Sequence, residues 1–531
     1  MVVFTFYFIC FSSELRSANL ESKIGTFFDL FALRRSYTYS GGNRMTKITA
    51  DVAVVGLGPA GLAACVSAAE NDLKVVGFEK AAMCGGAANM GGGPFGVESR
   101  VQKAEMSELT KEKVFEEFME YVHWNCDARL VHDYFWQSGD TIDWLEDMGV
   151  EFGKVGKFYA GSWNTWHMVT PEGGGKPGGM RAASTMNKRL LERAIELGTE
   201  VHTNTAVKKI IKTEDRITGL IAQKENGEEI EVEAKAVIIA TGGFGDNPEM
   251  IKEECGFTFG KDMFNFAIPG LKGDGLRLAW EVGAMKGRID METNTKTRVP
   301  DECFALANIF NQPNLLVNLS GERVMNEEYS ENPAILANVI RRQPQRVAIM
   351  IASDKLVKHY YRNGLDWAGI AGSIFGNTMD YLKDQLETAK ELAPEKAYIT
   401  DATDEELCEF FGIDLETFRE TLEEYNELCD EGYDDIFNKN HKYMRKIEGK
   451  LWGGAIALSA YGSLGGIQIN HKTQVLDPDY RPIKGLFAAG TDTCDIYAGT
   501  YLYKLPGNTM GYAVNTGRMA GDYAAKYISK H

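Results

Sequence analysis

The feature that most limits what this 531-residue chain can fold into is a strand–turn–helix–strand unit at Asp51–Glu79. Asp51-Val52-Ala53-Val54-Val55-Gly56 is a short apolar run ending in glycine, and Gly56-Leu57-Gly58-Pro59-Ala60-Gly61 has the spacing G-x-G-x-x-G. The pattern predicts a helix over Gly58–Glu70 and a second strand over Lys74–Glu79, with an acidic side chain 18 residues after Gly61. Each glycine has a physical reason. Gly56 permits the tight turn, Gly58 lets backbone approach a pyrophosphate, and Gly61 lets the helix pack closely on the strand. Pro59 and Ala60 open a helix whose unpaired N–H groups face an anion, and Glu79 can accept bonds from a ribose hydroxyl. The unit is a Rossmann-like dinucleotide site and does not choose between dinucleotides.

The rest of the chain predicts an α/β fold: a Rossmann-like nucleotide-binding domain interrupted by an α+β capping (substrate) domain. A glycine-rich loop, Cys84–Gly96, follows the second strand. Ser107–Met148 reads as two or three amphipathic helices and Thr185–Gly198 as another. Glu200–Asn204, Val207–Thr213, Ile217–Lys224 and Glu229–Glu233 read as strands, the last two joined by an Asn226-Gly227 turn. Ala236–Ala240 is apolar without alternation, as in a strand covered on both faces. Residues 291–452 are richer in charged helical stretches, and glycine-rich β character returns at Gly453–Gly466. The expected division is therefore 48–290 and 453–531 for the nucleotide domain and 291–452 for the cap. Residues 1–44 are expected to be a non-native or disordered extension ahead of a start at Met45.

Three further segments narrow the cofactor. They are Gly85-Gly86-Ala87-Ala88-Asn89-Met90-Gly91-Gly92-Gly93, then Ala240-Thr241-Gly242-Gly243-Phe244, then Ala488-Ala489-Gly490-Thr491-Asp492 with Pro506-Gly507-Asn508-Thr509-Met510-Gly511 downstream. In this order, over about residues 48–531, they resemble the fumarate reductase/succinate dehydrogenase flavoprotein family, which includes soluble fumarate reductases, urocanate reductases and 3-ketosteroid dehydrogenases. The resemblance implies FAD. The loop with Gly85, Gly86, Ala87, Asn89, Met90, Gly91 and Gly92 would lie along the flavin, and the Ala240–Gly243 strand end would meet the adenosine half. A C-terminal helix would aim its N-terminus, with Gly507, Asn508, Thr509 and Met510, at the flavin edge where charge accumulates on reduction. Lys80, Val207, Asp274, Gly490, Thr491 and Asp492 complete the expected cofactor set. Family members that bind FAD covalently carry a histidine in the glycine loop. Residues 84–96 contain none, so attachment is expected to be noncovalent.

The expected chemistry is hydride transfer between flavin N5 and a carbon of an activated C=C or CH–CH bond in an enone- or enoate-like small molecule. Fumarate reductases clamp a dicarboxylate with histidine and arginine. At the corresponding positions this chain has Met291-Glu292-Thr293, Glu331, the run Ala460-Tyr461-Gly462-Ser463-Leu464-Gly465, and Tyr503-Lys504-Leu505-Pro506-Gly507-Asn508. Tyr503 and Gly507 instead resemble the Tyr-x-x-x-Gly oxyanion hole of ketosteroid dehydrogenases, and a phenol and a backbone N–H are sensible donors to a developing enolate. Tyr329 or Glu331 is expected to handle the second proton. Tyr497, Tyr501 and Tyr503 could equally pack the loop, Lys504 leans to solvent, Arg323 reads as structural, and the aromatic loop with Trp163–Trp166 and His167 could border a flat substrate or equally be a surface loop. Rival readings are a fumarate- or urocanate-type reductase, an amino-acid-type oxidase and an electron-relay subunit.

Composition bounds the partners. A net charge of −18 disfavours nucleic acid and anionic membranes, which need a basic surface. Nine cysteines, none spaced C-x-x-C, give no case for a zinc or iron–sulfur site and suit reduced thiols in the cytoplasm. No second G-x-G-x-x-G follows a strand, so electrons are expected from a reduced flavin, a quinone or a redox protein.

Overall fold

The computed structural model describes residues 46–367 and 378–530. The expected extension 1–44 and the start at Met45 lie outside the described residues.

Two sheets organise the chain. In the larger, β1 (Thr46–Val55), β2 (Val75–Phe78), β5 (Glu200–His202), β8 (Glu229–Ile239) and β15 (Pro482–Ala488) form a parallel core in the order β5-β2-β1-β8-β15. Strands β6 (Thr205–Thr213) and β7 (Arg216–Lys224) run antiparallel beside β8, and β14 (Gln474–Leu476) closes the edge at β15. The two strands expected at Glu229–Glu233 and Ala236–Ala240 are one long strand. Its first half pairs with β7 and alternates in burial, whereas Val237–Ile239 lies between β1 and β15 and is buried without alternation. The change of pattern marks a change of neighbours, not a chain break.

The smaller sheet is antiparallel, in the order β10-β11-β13-β12, built from β10 (Leu315–Val317), β11 (Val347–Ser353), β12 (Tyr398–Ala402) and β13 (Leu451–Ile467), with β9 (Lys286–Thr297) paired to β13. Strands β9 and β13 run across the expected boundaries at 290 and 452, so each boundary falls inside a strand of the smaller sheet. Helices Asp404–Phe411 and Leu415–Glu431 and the short helix Phe304–Phe310 flank this sheet. Gly453 and Gly454 leave room for rings: a Cβ on Gly454 would sit 2.2 Å from Phe310. Arg323 lies inside this region. It donates to Glu327 (2.9 and 3.0 Å) and Asp434 (2.8 Å), while Lys439 sits 3.1 Å from Glu327. All four are buried, and a buried cluster of this kind survives only because every charge is paired.

Helix Pro59–Glu70 and the C-terminal helix Asn508–Ile528 pack against each other at backbone distance. Added Cβ atoms would fall 2.1 Å from Ala60 O at Gly517 and 2.7 Å from Ser67 Cβ at Gly521. Among the described residues no helix is long and apolar enough to cross a membrane.

Candidate active site

The turn after β1 is fixed by backbone contact. Gly56 has φ +87°, and a Cβ on Gly61 would sit 1.9 Å from Gly56 O, which no side chain tolerates. Gly58 is different: a Cβ there meets no protein atom within 4 Å. Gly58 is also the N-cap of the first helix, without a side-chain cap, and Pro59 has no N–H to satisfy. The amide edge at Gly58–Gly61 is therefore open for an anion. Glu79 carries one oxygen on each of two backbone amides, Leu57 (3.0 Å) and Ala81 (2.9 Å), which hold its carboxylate beside this turn.

The other expected cofactor residues surround the same turn. The Gly85–Gly92 loop leaves Gly86 and Ala87 exposed, and Asn89 spends both ends of its amide on Cys84 O (2.9 Å) and Asn187 Nδ2 (2.8 Å), so it shapes the loop. Met90 O and Gly91 O accept from Arg181 and Ala183, and Gly91 abuts Met510. Buried Gly92 backs onto Trp166 and Gly178. Val207 sits half-buried on β6, near the point where Thr205 N–H donates to Glu79 O. Ala240 continues β8 into the Thr241–Gly243 turn. Asp492 binds that turn with four donors: Thr241 N–H (2.5 Å), the Thr241 hydroxyl (2.9 Å), Gly242 N–H (3.2 Å) and Gly243 N–H (2.8 Å). Burial raises the Asp492 carboxyl, and these donors offset part of that rise. Gly490, beside Thr491, approaches Ala60 so closely that a Cβ would fall 2.9 Å from that residue's own. Lys80 and Asp274 pair at 2.5 Å across the rim, both more than a third exposed.

The C-terminal helix begins at Gly507 (φ +81°), again without a side-chain cap. Segment 504–507 is pinned by other loops: Trp163 N–H donates to Lys504 O (2.8 Å), the Thr165 hydroxyl to Pro506 O (3.1 Å) and Phe95 N–H to Gly507 O (2.8 Å). Tyr134 (3.3 Å) and Tyr497 (2.6 Å) hydroxyls both donate to Asn508 Oδ1, which fixes the amide orientation and leaves Nδ2 a free donor. Tyr501 Oη accepts from Thr509 N–H (3.1 Å). The buried Asn508 Nδ2, Thr509 Oγ1 and Tyr503 hydroxyl have no hydrogen-bond partner. Buried donors without partners are rare in native structures, and here two of them, Asn508 Nδ2 and Thr509 Oγ1, lie in the first turn of one helix. An anionic, acceptor-rich ring system fits there, and an adenosine-pyrophosphate fits over Gly58. The residues present suit FAD.

This resolves the three tyrosines. Tyr497 and Tyr501 hold the helix start, while Tyr503, 2% exposed, keeps a free hydroxyl. Its ring packs on Tyr501 (4.7 Å) and Phe158 (5.1 Å), with Tyr461 at 6.5 Å. Asn294 lies beside it without a formed hydrogen bond.

The expected proton donors lie at the aromatic loop and the surface. Tyr329 is 57% exposed, and Glu331 accepts from Ala160 N–H (3.1 Å) in the aromatic loop. Neither has a hydrogen bond or ring contact to Tyr503 among the described residues. Lys504 does not simply reach solvent: it pairs with Glu117 at 2.8 Å, which also accepts from Trp163 Nε1 (2.7 Å). His167 borders no substrate space. It is fully buried on β4 (Trp166–Val169), donates from Nδ1 to Thr165 O (3.1 Å) and accepts from Ser99 (2.7 Å); burial pushes it down to about 4.

One residue carried no assigned role in the sequence. Glu292 on β9 is 7% exposed and makes no ion pair among the described residues. It faces the Thr509 hydroxyl, Tyr461, Tyr497, Tyr501, Tyr503 and Cys494. Burial pushes its carboxyl up to about 8, and Thr509 lowers it only in part. The available signal was its place where fumarate reductases carry histidine.

Comparison with known proteins agrees with this geometry. Residues 51–510 match the family model described as an FAD binding domain. The chain is 31% identical to a vinyl phenol reductase of Lactiplantibacillus plantarum over 494 residues, covering 90% of this chain and 96% of that protein. It is 27% identical to a cytochrome-type fumarate reductase of Shewanella frigidimarina, covering 91% and 78% respectively. The fold matches the solved 3-ketosteroid-delta4-(5alpha)-dehydrogenase of Rhodococcus jostii with TM-score 0.71 at 23% identity, covering 92% and 98%.

Proposed function

The chain belongs to the FAD-binding-domain family of oxidoreductases, and from that premise we propose that it reduces a neutral, flat C=C bond conjugated to an oxygen-bearing end, an enone or a vinyl phenol. The observation that carries this reading is a buried carboxyl, Glu292, near the free hydroxyl of Tyr503, without a lysine or arginine partner at Glu292 among the described residues. A substrate carboxylate beside the protonated Glu292 and the neutral rings around it finds no cationic partner among the described residues, and burying an unpaired carboxylate costs several kcal/mol. A dicarboxylate is therefore a poor fit, whereas an aromatic or cyclic enone matches the rings of Phe158, Tyr461 and Tyr503. The vinyl phenol reductase among the relatives points the same way.

FAD, held noncovalently by the Gly58 turn, Glu79 and the Gly507–Met510 helix start, supplies the two-electron chemistry when bound. The chain's own residues bind and polarise. For an enone, the Tyr503 hydroxyl and the Gly507 N–H donate to the carbonyl oxygen as enolate charge develops there, where such donors are worth most with water excluded. For a vinyl phenol the same groups position the phenolic oxygen. Phe158 and Tyr461 hold the conjugated plane. Scattered thiols, free at every described cysteine, support a cytoplasmic setting. The electron donor would be a reduced flavin, a quinone or a redox protein.

The test is anaerobic reoxidation of pre-reduced enzyme by a panel of 4-vinylphenol, cyclic enones, cinnamate, fumarate and urocanate. Neutral conjugated alkenes should reoxidise it fastest; faster reoxidation by fumarate or urocanate overturns the reading.

A further inference from the structure

We propose that Glu292 is the acid that hands the alkene its second hydrogen, as a proton to the carbon that does not receive hydride. The inference rests on the reading of the pocket as a site of C=C reduction, and it goes beyond it by naming a group the family pattern does not supply. The geometry is that of one strand face. Asp290, Glu292 and Asn294 lie at alternate positions of β9: a Cβ on Gly499 would lie 3.3 Å from Asp290, Asn294 lies beside Tyr503, and Glu292 between them is within electrostatic reach of Tyr501. Opposite Glu292, β13 bulges: Thr293 pairs with Ala460 and Met291 with Ser463, leaving Tyr461 and Gly462 across from one residue. The bulge turns Tyr461 out of the ladder and opens the strand where the carboxyl sits. Among the described residues, the groups that interact with that carboxyl are neutral at pH 7: Thr509 from the C-terminal helix, Tyr461 from β13, and Cys494, Tyr497, Tyr501 and Tyr503 from the preceding loop. Uncompensated burial keeps the acid protonated at neutral pH, as a proton donor requires.

The step balances. The alkene gains two electrons and one hydrogen as hydride from the reduced cofactor. The Glu292 O–H bond breaks as a C–H bond forms on the neighbouring carbon, and the carboxylate left behind recovers its proton from water.

The experiment uses flavin-loaded enzyme, 4-vinylphenol as probe, and Glu292→Gln beside Glu292→Asp. Wild type should lose a protonated-carboxyl infrared band between pH 6.5 and 9.5, a band absent from Glu292→Gln, and tyrosine or cysteine does not contribute there. Single-turnover reoxidation should slow by about 100-fold or more in Glu292→Gln, with unchanged flavin absorbance, and the wild-type rate should fall as pH rises through about 8. Glu292→Asp should fall between the two. Wild type that reoxidises while Glu292→Gln keeps up within threefold overturns this proposal alone, as does an infrared band that survives the substitution. Wild type that no neutral alkene reoxidises overturns the functional reading as well.

Discussion

The cofactor cradle and the substrate face of this molecule are built by different means. The cradle is made of backbone: Gly56, Gly58 and Gly61, the Gly85–Gly92 loop, and the uncapped starts of two helices that pack together through glycine contacts at Gly517 and Gly521. The proposed substrate face is made of side chains from distant segments, Phe158, Glu292, Tyr461 and Tyr503. A site made of backbone tolerates almost no change in its glycines and hardly depends on what surrounds it. A site made of side chains can change specificity while the fold stays put, and this explains a chain similar to fumarate reductases in its cradle but not in its pocket.

The largest expected effects separate two glycines of the cradle. Gly61→Ala forces a Cβ to within 1.9 Å of a carbonyl oxygen, so purified protein should lose at least about nine-tenths of its flavin and much of its yield. Gly58→Ala meets no protein atom; it should leave the far-ultraviolet dichroism unchanged while weakening FAD binding by about tenfold or more. Equal effects of the two would erase the distinction between fold glycine and ligand glycine. On the substrate face, Tyr503→Phe should lower kcat by about 10²- to 10³-fold with the flavin spectrum intact. Tyr497→Phe, which loses its bond to Asn508, should instead weaken flavin binding first.

His167 supplies a pH test of the wall between the two regions. Its folded-state pKa lies below its unfolded value, so the unfolded chain takes up the proton first. The stability it contributes is complete above pH 6.5 and is lost as pH falls from 6.5 through about 4. The loss amounts to roughly 3 kcal/mol, visible as a falling Tm across that window. It should shrink in His167→Asn. The smallest effect belongs to Glu331. Glu331→Gln keeps an acceptor for Ala160 N–H and should change turnover by less than about threefold; a loss near 100-fold would restore it as a proton donor.

Much of this was legible in the sequence, and what was not has a common cause. Local rules predicted β1, the first helix, the Asn226-Gly227 turn and the C-terminal helix because each depends on neighbours in the chain. The expected strands Glu229–Glu233 and Ala236–Ala240 merged into one because pairing with β7 and then β15, a tertiary matter, set the change of pattern. Glu292 escaped assignment because its burial comes from the pairing of β9 with β13, some 170 residues away. Trp163–His167 looked like one loop with one purpose, yet Trp163 anchors Glu117 while His167 turns into the core. Among three near-identical tyrosines, only the hydrogen-bond pattern separates Tyr503 from Tyr497 and Tyr501.

The central claim is that the pocket accepts a neutral conjugated ring and refuses a dicarboxylate. Titrating the oxidised holoenzyme with 4-ethylphenol and, separately, with succinate, while following the flavin absorbance bands, tests it without turnover. The account predicts a saturable shift of the flavin spectrum with 4-ethylphenol that Tyr503→Phe weakens, and no saturable change with succinate. Saturation by succinate without a response to 4-ethylphenol would contradict it.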